Sequence, residues 1–184
     1  MLKLYIANLG KYNEGELVGG WLTLPYTEEE LNDLFVEIKL GYYDEDGDYV
    51  HGYEEDGSFY EEYAIHDFEC DVEGVEVGEY SNIEELNEIA EKLESLDDFE
   101  MKMLEAIIDF EGGDILSHLD NIDEYRLFEG VDDEYDLGYY WMEESGCYDI
   151  PKHLQNYIDY EKFGRDYSLE TNGSFTLHGW IERD

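Results

Sequence analysis

The chain has 184 residues, enough to bury a core, and sets 51 Asp and Glu against 10 Lys and Arg, a formal net charge of −41. Its 42% hydrophobic and 16% aromatic content, with 18 Tyr, excludes the disorder that usually accompanies such charge. Direct binding to DNA, RNA or an anionic membrane is excluded as well, because each needs clustered Lys or Arg and the sequence has none.

Leu2 to Asn8 alternates apolar residues at Leu2, Leu4 and Ile6 and predicts a strand. Tyr12 to Gly15 reads as a turn, and Glu16 to Leu24 as a second strand stopped by Pro25. Thr27 and Glu30 form a capping box, opening a helix with Leu31, Leu34, Phe35 and Ile38 on one face. The Gly-, Tyr- and acid-rich stretch from Gly41 to Tyr60 reads as a hairpin or a long loop. Glu62 to Phe68 reads as another strand.

Ser81 with Glu84 predicts a second capped helix, with Ile83, Leu86, Ile89, Ala90 and Leu93 following at helical spacing. Asp97 with Glu100 predicts a third, with Phe99, Met103, Ala106, Ile107 and Phe110 inward and Gly112-Gly113 as its stop. A short helix is expected over Ile115–Leu119, and helical structure over Tyr139–Glu144. A helix capped by Asp159 and a terminal strand from Ser174 to Ile181 complete the set.

No apolar run approaches the ~20 residues of a membrane span. The N-terminal MLKLYIANLG lacks a basic stretch followed by a long apolar one, so a cytoplasmic protein is expected. Cys70 and Cys147 have no CxxC partner and read as reduced, buried thiols.

The acids are placed as unusually as they are numerous. From residue 40 to residue 91 there is no Lys or Arg, yet there are 19 Asp and Glu. On the helix after Ser81, Glu84, Glu88 and Glu91 repeat at i, i+4 and i+7, with Glu85 and Glu94 flanking and only Lys92 among them. Like charges at this spacing cost about 0.2–0.5 kcal/mol per pair, so helix stability does not account for them. Neighbours three or four apart lie about 5–6 Å from each other, comparable with successive phosphates on a nucleic-acid strand. At one charge per ~1.7 Å of duplex, 41 charges match about 70 Å of DNA, on the order of 20 base pairs.

Catalytic and metal readings are poorer. Asp44, Asp46 and Asp48 resemble the start of a calcium loop, but Gly47 precedes the third acid where an EF-hand needs Gly after it. His66-Asp67 is a bare dipeptide that reads as a packed or hydrogen-bonded histidine. No HExxH, GxSxG or Gly-rich phosphate loop occurs. The expectation is no enzyme, no metal and no cofactor.

Three blocks carry a family likeness: Leu4 to Pro25 (LYIANLGKYNEGELVGGWLTLP), Glu61 to Glu69 (EEYAIHDFE) and Ile150 to Asp166 (IPKHLQNYIDYEKFGRD). In this order they resemble the ArdA family of antirestriction proteins. The resemblance implies an elongated α+β chain of about three small domains, with mixed short antiparallel sheets and helices. The expected parts are an α+β domain over 1–62, a mainly helical one over 63–112, and an α+β one over 113–184 that dimerises. It further implies a mimic of bent B-form DNA, encoded on mobile elements, that occupies the DNA-binding groove of type I restriction–modification enzymes. Trp21, Tyr157 and Tyr160 would then be core or interface.

The acids would form the working surface as a field. In the first part the field is Asp44, Glu45, Asp46, Asp48, Glu54, Glu55, Asp56, Glu61 and Glu62. The middle part adds Glu84, Glu85, Glu88, Glu91, Glu94, Asp109 and Glu111. The last part adds Asp132, Asp133, Glu134, Asp136, Glu143 and Glu144. Two rival readings of the same composition are an acidic chaperone-like binder of basic proteins and a halophilic acidic protein.

Overall fold

The computed structural model describes residues 1–72 and 75–183. The chain is α+β and forms two compact units, Met1–Ser95 and Leu96–Asp184. In the first, β1 (Leu2–Asn8) is the centre of an antiparallel sheet, between β2 (Gly19–Leu24) and β7 (Tyr63–Cys70). The register sets Leu2 opposite Leu24 and Cys70, and Leu4 opposite Leu22 and Phe68. Alternation then buries Leu2, Leu4, Ile6, Leu22 and Leu24 together. A bulge between Tyr5 and Ile6 shifts the register against β7, and beyond it Ala7 and Asn8 are buried in succession.

Asn8 shows how a buried polar side chain is accommodated. Its amide donates to the carbonyls of Ile38 and Lys39 at 3.0 and 2.9 Å, and its oxygen accepts from the Lys11 N–H at 2.9 Å. It thereby caps a short helix, α1 (Leu9–Asn13), where the sequence suggested only a turn.

Helix α2 (Glu28–Glu37) begins with the Thr27–Glu30 capping box read from the sequence and buries Leu34, Phe35 and Ile38. Gly20 lets it lie on β2, since a Cβ there would sit 2.6 Å from Leu34 Cδ1. The acidic stretch that follows forms two hairpins, β3 (Gly41–Tyr43) with β4 (Tyr49–His51), and β5 (Tyr53–Glu55) with β6 (Ser58–Tyr60). The second turns at Asp56-Gly57, both at positive φ, as a two-residue hairpin loop requires.

Helix α3 (Ile83–Ser95) buries Ile83, Leu86, Ile89 and Ala90. Its cap differs from the expected Ser81. The Glu84 N–H donates to Asn82 Oδ1 at 2.8 Å, while the Ser81 hydroxyl accepts from Gly78. Asn82 is the better placed of the two polar residues because Ile83 is the first helical residue.

The second unit begins with α4 (Asp98–Glu111), opened by the Asp97–Glu100 capping box. Met103, Ala106 and Ile107 pack on Tyr125, Leu127 and Ile181. Phe99 is 42% exposed, contrary to expectation, because its place in the first turn lies beyond the sheet-facing stripe. After α5 (Ile115–Asp120) comes β8 (Tyr125–Phe128), a strand not read from the sequence. It pairs with β10 (Gly179–Arg183), whose other neighbour is β9 (Gly173–Thr176). The single terminal strand expected over Ser174–Ile181 is therefore a hairpin, turned with Gly179 at φ 119°.

A second cluster, Val131, Leu137 and Trp180, lies beneath α6 (Glu134–Tyr139) and α7 (Tyr160–Glu170). α6 runs on as a π-helical turn, Tyr140–Glu144. The two helices cross at Gly138 and Gly164, where an added Cβ would meet the opposing backbone at 1.9 and 1.8 Å.

Of the residues expected in the core or an interface, Trp21 is 45% and Tyr157 84% exposed, which leaves them the interface, and Tyr160 is half-buried. The expected burial of the thiols is corrected: Cys147 is exposed and Cys70 half-buried, and both are free. Trp21 keeps one aromatic neighbour, meeting Tyr5 edge-on at 5.4 Å across the β1–β2 pair.

Candidate polyanionic surface

The apolar face of α3 is buried on the first unit, which fixes the other face outward. Glu84, Glu85, Glu88, Glu91 and Glu94 are all exposed. Lys92 pairs with Glu88 at 3.2 Å within the same helix. The β3–β4 turn displays Asp44, Glu45, Asp46 and Asp48. Here Asp44 is held by its own loop, its Oδ1 accepting the N–H groups of Asp46 and Asp48, each at 3.0 Å. The calcium-loop resemblance is thus a hairpin turn. Glu54 and Asp56 of the next hairpin, and Glu61 and Glu62 after it, are exposed.

Glu55 differs from its neighbours. It lies between Lys11 Nζ at 2.8 Å and Lys39 Nζ at 2.7 Å. Hydrogen bonds from these two ammonium groups hold its carboxyl down to about 2. Lys11 itself is buried, its Nζ 4.6 Å from the centre of the Tyr60 ring, and its pKa is raised chiefly by Glu55. This knot fastens the β5–β6 hairpin to α1, so Glu55 is a structural acid whose charge is compensated locally.

In the second unit Asp109 and Glu144 are exposed, as are Asp132 and Asp133. Asp133 caps α6 by accepting the Asp136 N–H at 2.9 Å, and Asp136 accepts from Asp132 N–H at 3.3 Å. Glu134 is half-buried beside the helix crossing. Glu111 accepts from the Tyr125 hydroxyl at 2.8 Å and lies 3.4 Å from Arg183. Glu143 accepts from Tyr160 at 2.5 Å and from Gln155 at 2.6 Å.

These bonds show a use for tyrosine that sequence reasoning missed. Tyr43 donates to Asp33 at 2.8 Å, Tyr60 to Glu14 at 2.9 Å and Tyr167 to Glu182 at 3.0 Å, beside the pairs just described. A phenol orients a carboxylate without cancelling its charge, which a lysine would do. The phenols respond accordingly. Hydrogen bonding to Asp33 pushes Tyr43 up to about 12, and bonding to Glu143 does the same for Tyr160. Burial, then the bond to Glu111, raises Tyr125 to about 12. The signal lay in the count: 18 tyrosines accompany 51 acids and only 10 bases.

Glu182, on β10, is a buried carboxylate, 3% exposed. Its Oε2 accepts from Trp180 Nε1 and Tyr167, both at 3.0 Å. Arg126 lies 3.1 Å from Oε1 as an ion pair, off the direction of a hydrogen bond. His66, exposed, meets the Tyr12 ring edge-on at 4.7 Å. Among the described residues no three His, Cys, Asp or Glu are grouped to hold a metal ion, and no helix is long and apolar enough to cross a membrane.

What the arrangement can do is electrostatic: it presents oriented, largely uncompensated carboxylates on an α+β scaffold. The class so defined is an acidic α+β protein with a carboxylate-rich surface. The family model described as antirestriction protein (ArdA) matches residues 4–182, and the chain belongs to that family. No curated protein matches it.

Proposed function

We propose that this protein is a non-enzymatic mimic of B-form DNA that occupies the DNA-binding groove of type I restriction–modification enzymes. The observation that carries this reading is the exposed row Glu84, Glu88 and Glu91 on α3, at a spacing of about 5–6 Å comparable with that of phosphates. Asp33, held by Tyr43, and Glu143, held by Tyr160, support it, since a phenol fixes each carboxylate without cancelling its charge. Attraction over this field would steer the protein to a basic groove rapidly and with strong dependence on salt. It works as a cytoplasmic homodimer, with no cofactor, no membrane and no nucleic acid of its own. The exposed apolar residues Leu154, Tyr157, Leu169 and Leu177 of the second unit support dimerisation there.

Cleavage of an unmodified plasmid by a purified type I enzyme tests the reading. Stoichiometric protein should stop cleavage, and excess duplex should restore it. Undiminished cleavage at low salt would overturn the reading.

A further inference from the structure

The first unit carries an open concavity of about 510 Å³ whose lining combines aromatic rings with one carboxylate. Tyr26, Phe35, Tyr63 and Tyr80 line it, together with Leu31 and Glu84. Two of the rings pack on each other. Phe35, buried on α2, lies 5.4 Å from the Tyr63 ring of β7 at 36°. Tyr26 is anchored where its N–H donates to Asn87 Oδ1 of α3 at 2.7 Å. Tyr80 is 73% exposed at the entrance to α3.

The charge facing these rings is negative. Burial, and then the charge of Glu84, raises the phenols of both Tyr26 and Tyr63. Among the described residues the lining holds no Lys or Arg. The start of α3 also lies here, but it does not favour an anion. The Glu84 N–H is taken by Asn82, and Glu84 and Glu85 already neutralise the positive end of the helix dipole in the first turn. Aromatic rings and a carboxylate around one space together attract a cation. A guanidinium fits better than an ammonium, being flat, weakly hydrated and able to stack on rings while bridging to a carboxylate.

We propose that this concavity binds an arginine side chain, stacked among the tyrosines and paired with Glu84. The proposal rests on the DNA-mimic reading for its partner: the arginine belongs to the target enzyme's groove, where it otherwise meets a phosphate. The site would thus be a local anchor within a diffuse field, as a desolvated pocket is in other interfaces.

The test uses the full chain and two probes. Aromatic NMR signals are followed as N-acetyl-arginine methylamide is added, and then its uncharged isostere, N-acetyl-citrulline methylamide. Saturable shifts of the Tyr26, Tyr63 and Tyr80 signals with arginine alone, weakened by Glu84→Gln, support the site. Equal shifts with both probes, or none with either, overturn it. Both Tyr80 and Glu84 are exposed, so Tyr80→Ala and Glu84→Gln should fold. Each should weaken displacement of DNA from the enzyme by about three- to thirty-fold. Glu85→Gln, which removes the same charge outside the concavity, should cost less. Equal losses from Glu84→Gln and Glu85→Gln would also overturn the site. Failure of the unmodified protein to displace DNA, with arginine still bound, would sink the mimic reading and leave a guanidinium site. Displacement intact with arginine silent would do the reverse.

Discussion

The crossing of α6 and α7 admits a sharp quantitative test. In Gly164→Ala the new Cβ would lie 1.8 Å from the Glu134 carbonyl oxygen and 2.8 Å from the Gly138 nitrogen. Both are backbone atoms, so no rotamer change relieves the clash. Restoring ordinary contact needs the helices to part by about 1.5 Å. That opens the cluster of Leu137, Val131 and Trp180, in which Leu137 is fully buried. A gap of ~0.5–1 Å already forfeits a quarter to a half of a contact's attraction, and a buried leucine makes tens of contacts of about 0.1–0.2 kcal/mol each. Overpacking and lost contact together come to about 3 kcal/mol. The gain in helix propensity from Gly to Ala offsets about 1 kcal/mol of this, leaving a net loss of about 2 kcal/mol.

Gly138→Ala should behave alike, its Cβ meeting Tyr160 O at 1.9 Å. One displacement accommodates both methyl groups, so the double variant should cost less than the sum by about 1 kcal/mol. Urea unfolding at fixed salt, read by the fluorescence of Trp141 and Trp180 in this unit, measures all three. A neutral or stabilising Gly164→Ala, or strict additivity, would refute the reasoning.

Other consequences concern charge. Glu182→Leu strands the Trp180 and Tyr167 donors and should cost about 2–4 kcal/mol in the same assay, whereas Glu182→Gln, which keeps an acceptor, should cost about 1 kcal/mol. Glu55 has a folded pKa of about 2 against an ordinary 4.5, so its contribution is full above 4.5 and is lost as pH falls towards 2. The stability difference between the unmodified protein and Glu55→Gln should therefore close over that window, as urea midpoints taken from pH 6 to 2 will report. For the raised phenols the sign reverses: the contribution of Tyr43, Tyr125 and Tyr160 is full below 10 and fades towards about 12. Ultraviolet titration should show a class of phenols ionising near 12. Outside the proposed arginine site, neutralising one surface acid should weaken displacement of DNA less than about fivefold.

The sequence was most legible where one local rule decided the outcome. The Thr27 and Asp97 capping boxes, the alternation of β1 and the apolar stripe of α3 all stand in the structure. Legibility failed where tertiary contact overrode local pattern. β8 is only four residues, Tyr125–Phe128, and is a strand because β10 lies beside it. α1 is five residues long and depends on Asn8, whose other bonds reach 30 residues away. The Asp56-Gly57 hairpin signal was present but hidden within an acid-rich run. For the surface, composition located the acids and not their company. It did not separate Glu55, locked by two lysines, from Glu54, which is free to face solvent. Nor did it show that phenols hold Glu111 and Glu143 in place.

The central claim is competition with duplex DNA for one groove, and displacement at two salt concentrations tests it most directly. A type I restriction–modification enzyme is held on a labelled duplex bearing its recognition site, and this protein is titrated in. The account predicts stoichiometric displacement at low salt and a steep loss of affinity as salt rises. Displacement insensitive to salt, or none at low salt, would contradict it.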